Sequence, residues 1–88
     1  MKAIWKYPIV TDSQRLAMPR GAEFLTVQRQ GDLVCLWAIV DDSRLLEKRV
    51  IEVFGTGNPM PSDMGIERKY IGTFQQGPLV WHVFERIN

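Results

Sequence analysis

The chain has 88 residues, 45% of them hydrophobic and 24% charged, with a formal net charge of +1. That usage is ordinary for a globular domain and excludes a disordered chain, while the near-zero charge excludes a long-range field that would gather nucleic acid or an anionic membrane. One domain, residues 1–88, is expected at this length; such a chain buries only roughly 60% of the surface its unfolded form exposes, so a subunit interface would help it.

In chain order, Lys2 to Tyr7 alternates Ile4 against Trp5 and Tyr7 with lysines between, and Pro8 halts the pattern. Lysine and proline in such a run mark an edge strand. Thr11, Asp12 and Ser13 form a turn cluster, Gln14 to Met18 reads as a second strand, and Met18 to Gly21 turns the chain again. Ala22 to Gln30 alternates, with Phe24, Thr26 and Gln28 on one side and Leu25, Val27 and Arg29 on the other. Gln30, Gly31 and Asp32 join it as a hairpin to the next run.

That run, Leu33 to Asp41 (LVCLWAIVD), is the most informative stretch of the chain. An alternating strand hides one face, but an unbroken apolar run hides both. One layer must cover Leu33, Cys35, Trp37 and Ile39, and another must cover Val34, Leu36, Ala38 and Val40. In so short a chain the second cover is another layer of the domain or a second copy. Cys35 is the sole cysteine; in mid-strand it reads as an inert buried thiol, and the absence of any disulfide framework fits a cytoplasmic protein.

After Asp41 and Asp42, the segment SRLLEKRVIEVFG fits a helix capped by Ser43 or a strand of alternating Val50, Glu52 and Phe54; the β-branched density from Val50 to Val53 favours the strand. Gly55 to Glu67 holds three glycines and two prolines in its thirteen residues and reads as a loop. Lys69 to Phe74 and Leu79 to Arg86 are the last two strands, with Gln75 to Pro78 turning between them. Val53-Phe54-Gly55-Thr56 and Tyr70-Ile71-Gly72-Thr73 echo one another, which reads as coincidence rather than repeat. The whole pattern predicts an all-β domain of six or seven short antiparallel strands, a sandwich or partly open barrel.

Chemistry is sparse. Gly55, Thr56, Gly57 and Asn58 suit either a turn leaving a strand or a loop whose backbone N–H groups approach a phosphate. The third glycine of a dinucleotide fingerprint would fall at Met60, and no Gly-Lys-Ser/Thr follows. His82, the single histidine, reads as a hydrogen-bonded core residue or a pocket lining, with no partner at metal-ligand spacing. Asp41 and Asp42 end a strand, and Asp63 and Glu67 lie in or beside the long loop. No serine has the flanking glycines of a nucleophile elbow. Neither enzymatic activity, a metal nor a cofactor is therefore expected. Trp5, Tyr7, Trp37, Tyr70 and Trp81 supply rings that serve as core or as stacking surfaces for a base, and Arg20, Arg49, Arg68 and Lys69 are the candidate phosphate contacts.

The elements Ile4-Trp5-Lys6-Tyr7, Met18-Pro19-x-Gly21-Ala22, Leu36-Trp37-Ala38-x-Val40-Asp41, Gly55-Thr56-Gly-x-Pro59, Tyr70-Ile71-Gly72-Thr73-Phe74-Gln75 and Val80-Trp81-His82-Val83-Phe84-Glu85 together resemble a family of small phage and prophage proteins of unknown function. The resemblance implies residence in the host cytoplasm and a counter-defence role. Proteins of that kind include oligomeric sponges that sequester cyclic ADP-ribose derivatives or cyclic dinucleotides in pockets at subunit junctions. The expectation is a homo-oligomeric binder of a nucleotide second messenger: Trp5, Tyr7 or Trp81 would stack the base, while Arg49, Thr56, Asn58 and His82, beside Gly55 and Gly57, would serve phosphate and ribose. The alternative is an inhibitor or accessory protein that docks on a host enzyme through an edge strand. A nucleic-acid binder is disfavoured by the charge, and a membrane protein by the lack of any apolar run near the ~20 residues of a spanning helix.

Overall fold

The alternating β-branched and aromatic runs fold as strands wherever Gly, Pro and Asp clusters leave them room. In the computed structural model, which describes residues 1–62 and 65–87, the strands are β1 (Lys2–Pro8), β2 (Ser13–Pro19), β3 (Glu23–Gln30), β4 (Leu33–Asp41), β5 (Leu46–Gly55), β6 (Arg68–Gln76) and β7 (Leu79–Arg86). They form two antiparallel sheets, ordered β1-β4-β3 and β2-β5-β7-β6. The fold is all-β, as expected, and the stretch that also admitted a helix is strand from Leu46 onward. Asp63, a candidate carboxylate, lies outside the described residues.

The apolar run does occupy the centre of its sheet, with β1 on one side and β3 on the other. Val34, Leu36, Ala38 and Val40 point inward and pack in two core clusters. One cluster joins Met18, Ala22, Ala38 and Val40; the other joins Val27, Leu36, Ile51 and Val83. Full burial of an aliphatic side chain such as Leu36 or Ile51 stabilises by about 1.5–3 kcal/mol, and these clusters hold the two layers together. Leu33, Cys35, Trp37 and Ile39 lie on the other face, where Leu33 is exposed, Trp37 and Ile39 are half-buried, and the Cys35 thiol is buried as expected.

Two bulges alter simple alternation. The register of β3 shifts between Phe24 and Thr26, so Phe24 and Val27 both reach the core. Strict alternation puts Phe24 on the side of Thr26 and Gln28; the extra residue, Leu25, overturns that, because a bulge sets two residues against one and resets the parity. A second shift lies between Tyr70 and Gly72. Strand β6 also runs further than alternation suggests, since Gln75 and Gln76 pair with Val80 and Leu79 and leave Gly77 and Pro78 as the turn.

The sheets are not closed into a barrel, but the edge strands β3 and β6 lie close together. A Cβ at Gly72 would stand 2.5 Å from Val27 Cγ1 and 3.4 Å from the Val27 backbone nitrogen. Glycine is required there because the β-branched Val27 side chain fills the space that a Cβ would take.

One ion pair lies between the layers. Arg49, on the inner face of β5, donates from Nε and Nη2 to Glu85 at 2.5 and 2.8 Å and from Nη1 to the Ala22 carbonyl at 2.6 Å. Its guanidinium also covers the Phe24 ring at 4.6 Å. The hydrogen bonds to Glu85 raise the Arg49 pKa further above its ordinary value, against the opposing effect of burial.

Candidate ligand-binding site

Strand β7 places Trp81 and His82 on opposite faces, and the turn after β5 brings backbone and hydroxyl groups to both. Gly55 pairs with Trp81, and Phe54 with His82. The turn itself is tight: Asn58 N donates to the Gly55 carbonyl, Thr56 N donates to the Val80 carbonyl, and Gly57 has φ +84°. The amides of Thr56 and Asn58 are thus spent inside the protein, which favours the turn reading of this segment over a phosphate cradle.

On the outer face a chain of polar groups crosses β6 and β7 to the turn after β5. Tyr70 OH lies 2.5 Å from Thr73 Oγ1, Thr73 Oγ1 lies 3.0 Å from His82 Nδ1, and His82 Nε2 lies 2.8 Å from Thr56 Oγ1. Thr56 Oγ1 donates onward to the Val80 carbonyl at 3.3 Å. A carbonyl only accepts, and each hydroxyl has one proton, so the end of the chain sets its direction. For a neutral imidazole this has Thr56 donating to Val80, His82 Nε2–H donating to Thr56, and His82 Nδ1 accepting from Thr73, which accepts from Tyr70. Phe84 stands edge-on to Tyr70 at 5.5 Å and to Phe54 at 6.0 Å between ring centroids, giving the network an aromatic floor.

On the opposite face Trp81 borders three clefts. One, of about 320 Å³, is lined by Gly55, Thr56, Asn58, Pro78, Leu79, Val80 and Trp81. A second, of about 400 Å³, lies under the long loop and reaches Glu52, Pro61 and Arg68. A third, of about 270 Å³, opens between the sheets beside Ile9, Val34, Val53 and Phe74. The indole rests on Gly55, where a Cβ would meet Trp81 Cζ3 at 3.1 Å and Asn58 Nδ2 at 2.7 Å. Its Nε1 is buried and has no hydrogen-bond partner among the described residues. A buried donor left unpaired costs about 1–3 kcal/mol, which an acceptor brought by a ligand would recover.

The structure therefore gathers Gly55, Thr56, Gly57, Asn58, Trp81 and His82 at one corner. Trp5 and Tyr7 belong to β1 of the other sheet and line none of these clefts. Tyr7 packs on both core clusters, and burial raises its phenol pKa. Arg49 sits between the layers with its fork engaged by Glu85 and Ala22. Arg68, another cationic candidate, is also held, donating to Glu52 at 2.7 Å and to the Pro61 carbonyl at 2.7 Å. Thr73 and the hydroxyl of Tyr70 were not among the expected site residues. The signal for them was the Gly-Thr echo: Gly55-Thr56 and Gly72-Thr73 flank β7, and their threonines meet the two ring nitrogens of His82.

A two-sheet β-domain with a cleft at one corner is the class that fold and site define. Residues 1–88 match the family described as a domain of unknown function, DUF7352, and the chain belongs to that family. No curated protein and no solved structure matches the chain.

Proposed function

We propose that this protein binds a nucleotide signal without altering it, acting as a sequestering protein of the counter-defence type. The observation that carries the reading is the convergence of Thr56, Asn58 and Trp81 on one cleft of about 320 Å³, with His82 behind Thr56. That volume falls at the small end of the range for ligand pockets, about 300–1,000 Å³. The base would lie against the Trp81 indole, while ribose hydroxyls would meet Thr56 and Asn58. With the Arg49 and Arg68 forks engaged, phosphates would stay at the mouth in solvent. Recognition would rest on base and sugar and depend weakly on salt.

Isothermal titration with a panel of cyclic nucleotides and cyclic ADP-ribose derivatives tests this. Saturable heat that disappears in Trp81→Ala supports the reading, and silence across the panel overturns it. The protein-docking alternative is favoured by one observation: β1 pairs on one side only, and its Ile4 and Trp5 are 62% and 38% exposed. A stoichiometric host protein captured by the chain and lost in Trp5→Ser would favour it.

A further inference from the structure

We infer that the outer face of the β1-β4-β3 sheet is a self-association surface that seats a second copy of this chain. Strand pairing places rows of side chains on that face: Lys2 beside Asp41, then Ile4, Ile39 and Glu23, then Lys6, Trp37 and Thr26. Its middle is apolar, with half-buried Ile39 and Trp37 on the central strand and Ile4, 62% exposed, beside them on β1. Lys6 lies over the Trp37 ring at 5.9 Å and donates across it to Gln30 at 2.6 Å.

Charge selects the occupant. Cations stand on β1, as Lys2 and Lys6, and the outer strand β3 carries Glu23 in the row of Ile4. A two-fold axis lying in the face and parallel to the strands sets β1 of one copy over β3 of the other. Lys2 and Lys6 then flank the partner copy's glutamate, one row on either side, while the Ile4-Ile39-Trp37 patches meet at the centre. Such an isologous interface uses the same patch on both copies, so each complementary contact is made twice. An unrelated partner has no reason to match this arrangement.

Sedimentation equilibrium over a range of protein concentrations, on the full chain, tests the inference. A monomer–dimer equilibrium is expected for the wild type, and a monomer at every concentration overturns the inference. Ile4→Lys should shift association by at least tenfold with an unchanged unfolding midpoint, since Ile4 is already solvent-exposed; an unaltered dimer constant rejects this face. Glu23→Lys should weaken the dimer, and adding Lys2→Glu and Lys6→Glu in the same chain should restore it. Failure of that restoration overturns the proposed pairing of β1 with β3.

Discussion

Arg49 and Arg68 make nearly the same set of contacts on opposite faces of one sheet. Each donates Nε to a glutamate, each donates another guanidinium nitrogen to a carbonyl, and each covers a phenylalanine ring, Phe24 at 4.6 Å and Phe54 at 5.0 Å. The difference lies in what the carbonyl and ring belong to. Arg49 reaches Ala22 and Phe24, at and beyond the start of β3, and so bonds one sheet to the other. Arg68 reaches Pro61 and so bonds the long loop to its own sheet. The same planar fork thus serves in one place as a tie between layers and in the other as an anchor for the loop beside the candidate cleft.

The comparison predicts losses of similar size and different reach. Arg49→Met leaves the Glu85 carboxylate buried without its cation and should cost about 3–5 kcal/mol, read as a lower urea midpoint. Adding Glu85→Leu should recover most of that loss; a double variant as weak as the single would mean that the stranded charge is not the cause. Arg68→Met strands Glu52 in the same way, its side chain 14% exposed against 10% for Glu85, and should cost about as much. Its signature should be local, with amide exchange quickening over residues 56–62 while β3 keeps its protection; uniform quickening would erase the distinction between the two arginines.

A smaller effect is expected at Tyr7, whose ring packs in the core and whose buried hydroxyl has no partner among the described residues. Tyr7→Phe should leave stability unchanged or raise it by up to about 1 kcal/mol, as measured by chemical denaturation. A clear loss would reveal a partner for that hydroxyl and tie it to the nearby Arg49 charge.

The smallest effect belongs to the exposed ionic cluster at the end of β4. Ser43 donates from Oγ and N to Asp41 Oδ1, and the Met1 ammonium donates to Asp41 and Asp42. These bonds, the serine hydroxyl first, hold the Asp41 pKa at about 2, below its ordinary 3.8. Bonds to Asp42 and then Asp41 raise that of the ammonium above 8.0. A depressed carboxylate contributes its full stabilisation above the unfolded value and loses it as pH falls through the folded one. A raised ammonium does the reverse, losing its share as pH climbs through its folded value. The cluster should therefore be intact between about pH 4 and 8. NMR titration of Ser43→Ala should move the Asp41 midpoint up toward 3.8; an unmoved midpoint would assign the depression to the Ser43 backbone N–H and the ammonium instead.

Much of this molecule is legible in its residues. The doubly apolar run from Leu33 to Asp41, the hairpin through Gly31, and the loop from Gly55 to Glu67 follow from patterns that short-range sterics and burial impose. What stayed hidden depends on contacts distant in the chain. The β3 bulge exists because Phe24 and Val27 must both reach a core that β4 and β5 complete. Nothing near Arg49 announces Glu85, thirty-six positions away. The candidate site was half visible: its glycine turn, Trp81 and His82 stand out as residue types, whereas Thr73 and Tyr70 acquire meaning only when β6 lies beside β7. The Gly-Thr echo was the available trace of that pairing.

The close approach of Val27 to Gly72 has a consequence for kinetics. The β3-β4 and β6-β7 hairpins turn on short local connections and can zip early, whereas the seam between residues 27 and 72 joins the two finished halves and pays its loop-closure entropy last. Contacts absent from the transition state govern how fast a protein comes apart rather than how fast it assembles. The lifetime of the folded state, more than its rate of formation, is thus set where the Val27 side chain packs against the bare backbone of Gly72.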